Sequence, residues 1–255
     1  MFRLLPPVLT LAALLATATA CGDDAADTAG SATAALTAPA DGARLAGAVD
    51  LTMSAAGVTI VPAGDVAPNS GHFHVIADHG CITTGETIGK DADRVHFGSG
   101  AATGTIYLEP GRHSLCLQVG DGAHTALAIT DTVEIEVAIT SRDEWCDVVA
   151  DADSLLSSVE VSSDPFPVRQ IALEGVRRLI AQLEAGLDHV DADARDAVAE
   201  FIGFGALFAE TMLAAESEEA GAEQLWGPDG ILPEHTEHGD AGTTWIRSTC
   251  GVSLD

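Results

Sequence analysis

The segment Gly71-His-Phe-His-Val-Ile-Ala-Asp78 is the stretch around which the first half of the chain is organised. Aromatic and β-branched residues alternate with polar ones along it, a pattern that predicts a β-strand. Because successive side chains of a strand point to opposite faces, His72 and His74 share one face while Phe73 takes the other. Two imidazoles on one face, about 7 Å apart along the strand, are placed to reach a single metal ion or polar ligand.

Further histidines follow, each beside a turn signal. Imidazole nitrogen suits Zn²⁺, Cu²⁺ and Ni²⁺, and about two to four such ligands form a site. Asp78 and Asp121 are additional candidate ligands. The sequence therefore predicts a metal site, with Cu or Zn as the expected ion, drawn from His72, His74, His96, His113 and His124.

The competing hypothesis is that these histidines only brace loops. Histidines beside turns often bond loop carbonyls, and His113 is in phase with the core residues Leu115 and Leu117. His74 shares a face with Ile76, which fits a buried histidine with satisfied hydrogen bonds. Geometry separates the two hypotheses, because a metal site requires at least three imidazole nitrogens within about 4 Å of a common point.

Four motifs in this half resemble a known family. They are Gly-His-Phe-His-Val-Ile-Ala-Asp at 71–78, Val-His-Phe-Gly-Ser-Gly at 95–100, Pro-Gly-Arg-His-Ser-Leu at 110–115 and Val-Gly-Asp-Gly-Ala-His at 119–124. In this order they resemble the bacterial domain of unknown function 4399, over roughly residues 37–140. The resemblance implies a small all-β, immunoglobulin-like domain and no particular activity. Two departures reduce the number of candidate ligands, since Phe73 and Leu127 stand where the family carries histidines.

Segment patterns divide the chain into two predicted domains. About seven short alternating segments separated by Gly, Pro and Asp turns favour a β-sandwich over 37–140. From Ser141 the apolar spacing becomes helical, and three longer helices with a short closing helix predict a small bundle over 141–255. The predicted fold is therefore α+β, an immunoglobulin-like β-sandwich followed by a disulfide-closed helical bundle.

The N-terminus carries targeting signals. Residues 1–20 have one early positive charge, an apolar run and a small-residue cleavage site, as in a signal peptide. Cys21 follows at once and resembles the acylated cysteine of bacterial lipoproteins, although Ala18 stands where leucine is usual. Cleavage after Ala20 with secretion is the alternative. Residues 21–36 are small, polar and acidic, which predicts a disordered tether.

The cysteine count favours the lipid. Of five cysteines, removing Cys21 leaves an even number to pair in an oxidising compartment. Cys81 and Cys116 fall in the β-domain, and Cys146 and Cys250 bracket the helical domain. We expect Cys81 to pair with Cys116 and Cys146 to pair with Cys250. Cys21 is then left to anchor the protein outside the cytoplasm.

Composition excludes some functions. The formal net charge of −28 repels phosphate backbones, so no nucleic-acid partner is expected. No nucleophile elbow or phosphate-binding loop is present. The His235-x-x-His238 motif with its flanking carboxylates predicts a solvated acidic loop, and weak metal binding by the two histidines is the alternative. We predict a non-enzymatic, lipid-anchored surface protein whose partners are the membrane and a metal ion. The alternative is a structural or protein-interaction module with a surface protein partner.

Overall fold

Strands come first and helices second along the described chain. The computed structural model describes residues 31–160, 162–228, 230–231 and 237–254. Within these ranges the strands are β1 Thr33–Ala38, β2 Arg44–Leu45, β3 Val49–Ala56, β4 Thr59–Ile60, β5 Ser70–Ala77, β6 Arg94–His96, β7 Thr103–Ile106, β8 Gly111–Gly120 and β9 Ala126–Val137. The helices are α1 Arg142–Glu160, α2 Phe166–Ala185, α3 Arg195–Ala214, α4 Glu218–Trp226 and α5 Glu237–Cys250, with a short 3₁₀ turn at Leu187–His189.

The strands form two sheets. The smaller has the order β1-β3-β7, and the larger has the order β2-β9-β8-β5-β4 with β6 paired to β5. Apolar side chains from both sheets, including Leu51, Phe73 and Leu117, join in one buried cluster. The larger sheet curls into a half-barrel. The mixed α+β class is thus confirmed, and the immunoglobulin-like sandwich stays a prediction.

Strand β5 is buried on both faces. Phe73 and Val75 lie in the core between the sheets, while His72, His74 and Ile76 on the other face are also fully buried. The segment 79–93 covers that second face. Its Ile82 N–H donates to Gln118 Oε1 at 2.9 Å, and Gln118 Nε2 donates back to the Ile82 carbonyl at 2.8 Å. The histidines of β5 therefore lie beneath a covering loop rather than on an open sheet surface.

Both predicted disulfides are present. Cys81 of the covering segment bonds Cys116 of β8, and Cys146 of α1 bonds Cys250 at the end of α5. Cys116 points away from the face that buries its neighbours Leu115 and Leu117, because successive side chains of a strand alternate between its two faces.

The helices pack on their own core and on the strands. Trp145, Leu179 and Ile246 are buried in a helical cluster. The side chain of Gln182 on α2 donates to the carbonyls of Gly47 and Leu108 in the β-region, at 3.2 and 2.8 Å. The chain from Ser31 onward accordingly forms one compact unit.

Some short elements differ from expectation. Strand β1 begins within the segment predicted as a tether. This segment is ordered because the Leu36 N–H donates to the Asp131 carboxylate at 2.8 Å and the Leu36 side chain lies in the core. Strand β6 and helix α4 were not predicted, and α5 begins in a predicted loop. Strand β6, with three residues, is too short to show a period.

Candidate metal centre

Two neighbouring strands supply three histidines. His72 and His74 lie on one face of β5, and the antiparallel register places His96 of β6 directly opposite His74. Residues opposite each other in such a pair share a face, with Cβ atoms about 4.5–5.5 Å apart. Strand pairing therefore brings His96 to the two histidines of β5.

A tight turn supplies the fourth histidine. His124 lies between β8 and β9 with φ of 66°, a left-handed conformation that costs of order 1 kcal/mol or more for a residue other than glycine. The Asp121 carboxylate supports the turn by accepting from the N–H groups of Ala123 at 2.9 Å and Thr125 at 2.8 Å. This geometry turns the imidazole of His124 toward His96.

The four imidazoles meet at close range. His72 Nε2 lies 3.0 Å from His74 Nε2, and His96 Nε2 lies 3.1 Å from His124 Nε2. All six ring pairs have centroids 4.7–5.8 Å apart. Ligand nitrogens of His72, His74 and His96 lie within 4.8 Å of one another, so one point lies no more than about 2.8 Å from all three, close to metal–imidazole reach. The geometric criterion of a metal site is met.

Two glycines make room for the rings. A side chain at Gly120 would place its Cβ 2.9 Å from His74 Nε2, and one at Gly98 would place its Cβ 2.2 Å from His96 Cε1. Sequence reasoning assigned neither glycine a role, although both lie in the Gly-containing motifs that flank His96 and His124. The tight fit holds the rings against one another.

Burial keeps these rings neutral. It lowers the pKa of His72 to about 4, helped by the neighbouring His96 and His124 and opposed by Asp121. It also lowers the pKa of His74 to about 3, with further lowering by the other three rings. Burial is also the largest cause of the lowered pKa of His96. Neutral imidazole is the form that binds a metal.

The deepest rings have unsatisfied nitrogens. Among the residues that the structure describes, Nδ1 of His72 and Nδ1 of His74 are buried and have no hydrogen-bond partner. A buried polar atom left in this state costs about 1–3 kcal/mol. Packing rather than a second hydrogen bond therefore orients these two rings.

His113 and Asp78 lie apart from this cluster. The His113 ring contacts Asp78 Oδ2 and the Glu109 carbonyl, both at 2.8 Å, and Asp78 Oδ1 accepts from the Ser114 N–H. His113 stands near the start of β8, whereas Gly120 beside the cluster ends it. The structure thus brings together four of the five predicted histidines. His113 instead braces a loop, as its position in phase with the core residues of β8 indicated.

Other predicted features lie outside the described residues. These are the signal peptide, the lipidation site Cys21, the acidic tether as far as residue 30, and His235; the side chain of His238 is likewise not described. They stay predictions.

Comparisons with known proteins found one family-model match, over part of the chain. Comparison with curated proteins gave no match. Among solved structures, the endo-β-1,4-mannanase from Thermotoga petrophila is 13% identical over 43% of this chain, with a TM-score of 0.26. The match spans only 20% of the mannanase, and a TM-score this low does not establish a shared fold. Residues 51–138, which carry all four converging histidines, match the family model DUF4399, a domain of unknown function.

Proposed function

We propose that this protein is a metal-binding module of the DUF4399 type, with Zn²⁺ or Cu²⁺ as the ion. The observation that carries the proposal is the convergence of four imidazoles, with Nε2 atoms paired at 3.0 and 3.1 Å. In a tetrahedral zinc site with Zn–N distances of 2.0–2.1 Å, ligand nitrogens stand about 3.3 Å apart. An ion between the rings therefore requires only small movements of the side chains.

The donor chemistry supports a transition metal. Imidazole nitrogens suit Zn²⁺ and Cu²⁺, whereas Mg²⁺ and Ca²⁺ take oxygen ligands. The lowered pKa of His72 and His74 removes proton competition near neutral pH. Binding an ion would also give the clustered nitrogens the partners that they otherwise provide only for each other.

The protein's setting completes the proposal. The signal-like N-terminus and Cys21 favour a lipid anchor on the outer side of the membrane, with secretion as the alternative. No enzymatic motif accompanies the histidines, so we propose binding without catalysis. The bracing role considered for all the histidines is supported for His113, whose ring contacts Asp78 and Glu109.

Calorimetric titration tests the proposal. Residues 31–255 are titrated with Zn²⁺ and with Cu²⁺, beside a His72→Ala/His74→Ala variant and a His113→Ala control. We expect micromolar or tighter binding of one ion, loss of binding in the double variant, and binding retained in the control. Absence of binding in the parent, or equal binding in the double variant, would overturn the proposal.

A further inference from the structure

We infer that Arg178 of helix α2 is a positioning residue for the metal centre, because it anchors the segment that delivers His96. The inference rests on the proposed function and assigns the helical region a part in it. The juxtaposition behind it is the contact between the α2 guanidinium and the residues that immediately precede β6.

Strand β6 is the shorter of the two strands that carry converging histidines. It spans Arg94–His96, and in the described chain its strand partner is β5. His72 and His74, in contrast, lie in an eight-residue strand with β8 on one side and β6 on the other. The position of His96 therefore depends on what holds the start of β6.

Arg178 holds that start. Its guanidinium donates to Asp93 Oδ1 at 2.5 Å, to the Ala92 carbonyl at 3.3 Å and to the Tyr107 carbonyl at 3.0 Å. A further bond to Glu174 on the same helix fixes the side chain at 3.2 Å. The residue is only 8% exposed. A planar group with several donors sets direction as well as distance, so Arg178 clamps both the side chain and the main chain of this segment.

Further hydrogen bonds hold residues 91–94 of the clamped segment in place. Asp91 Oδ1 accepts from the N–H groups of Asp93 and Arg94 at 3.0 and 2.8 Å, and the Asp93 carbonyl accepts from Ala77 N–H of β5 at 2.8 Å. His96 follows Asp93 by three residues. A shift at Asp93 is accordingly passed along the main chain to the His96 ring, which lies 3.1 Å from His124.

Neighbouring Arg177 offers a matched control. It also joins α2 to the β-region, through Glu109 at 2.5 Å, and it shares Glu174 with Arg178. Glu109 precedes β8 and not β6. If arginines of α2 only hold the helices against the strands, the two substitutions should act alike on the metal centre. If Arg178 positions His96, they should differ.

The first experiment measures zinc affinity of residues 31–255 carrying Arg178→Gln or Arg177→Gln. Loss of a group that orients a metal ligand typically weakens affinity about 10–100-fold. We expect a loss in this range for Arg178→Gln and less than about a twofold change for Arg177→Gln. Tight binding by the parent with equal affinities in both variants would overturn the inference and leave the proposed function standing. No binding by the parent would overturn the proposed function.

The second experiment uses the metal-free protein, so its result does not depend on whether the parent protein binds zinc. The imidazole Cε1–H resonances report how well each ring is held. We expect the His96 resonance to shift or broaden in Arg178→Gln and to stay unchanged in Arg177→Gln; unchanged resonances in both would contradict the inference. Should Arg178→Gln fail to fold, Asp93→Asn removes the charged acceptor at the surface end of the same contact and is expected to act in the same direction on both readouts.

Discussion

The space occupied by the His74 ring exists because position 120 has no side chain. Gly120→Ala would place a methyl group 2.9 Å from His74 Nε2 and 3.4 Å from Ile88 Cδ1. We expect the ring to be displaced and zinc affinity to fall about tenfold or more, a loss of at least about 1.4 kcal/mol. Gly89→Ala is the control, since its Cβ meets only Arg94 Cδ at 3.9 Å. Equal affinities in both variants would show that the fit around His74 is not needed.

The same buried rings predict a pH dependence of the metal-free protein. Burial lowers the pKa of His72 to about 4 and that of His74 to about 3, from the ordinary value of 6.5. Between each lowered pKa and pH 6.5, the unfolded chain binds protons that the folded protein does not bind. Stability is therefore complete above pH 6.5 and is lost as the pH falls, by up to about 1.4 kcal/mol per pH unit and histidine.

Urea unfolding of the parent and of a His72→Gln/His74→Gln variant checks this dependence. Carboxylates contribute equally to both proteins, so the difference between the two slopes isolates the histidines. We expect the variant to lose stability less steeply on acidification between about pH 6.5 and 4.5. Parallel curves would contradict the assignment of depressed pKa values to these rings.

At this scale the sequence predicted all four histidines that converge, but it also included His113, which lies apart from them. Alternation along β5 correctly placed His72 and His74 on one face. Nothing local separates His96 and His124, which join them, from His113, which does not. That distinction depends on strand register and on the path of the β8–β9 turn, both of which are set by contacts between residues far apart in sequence.

At the level of elements, the turn between β8 and β9 holds His124 in a left-handed backbone conformation, with φ of 66°. Asp121 supports it through two backbone N–H groups. Asp121→Ala removes both hydrogen bonds, and we expect zinc affinity to fall about tenfold because His124 is no longer held. Asp121→Asn keeps an acceptor oxygen and should retain most of the affinity. A similar loss in both variants would indicate that the charge of Asp121, rather than the turn, matters.

Long elements were predictable, whereas some short ones were not. Strands β5 and β8 and the three longest helices show clear periodicity, as the alternating and helical patterns of the sequence predict. Strand β6 has only three residues and is recognisable only from its pairing with β5. Local pattern therefore missed a strand that carries one of the converging histidines, His96.

Across the whole molecule, two disulfides constrain loops of different length. The Cys146–Cys250 bond spans 104 residues and the Cys81–Cys116 bond spans 35. On the chain-entropy account they stabilise by about 4.7 and 3.8 kcal/mol. We expect replacement of Cys146 and Cys250 by serine to lower the free energy of unfolding by about 1 kcal/mol more than replacement of the other pair. Denaturant titration checks the order, and the reverse order would contradict the loop-length argument.

We propose that four histidines hold one metal ion, and X-ray absorption at the zinc edge reports the ligands of that ion. The sample is the protein from Ser31 to Asp255 with one equivalent of Zn²⁺. We expect nearest neighbours at about 2.0–2.1 Å and the outer-shell scattering of several imidazoles. The His72→Ala/His74→Ala variant should lose that scattering. A shell of oxygen atoms without imidazole scattering in the parent protein would contradict the account.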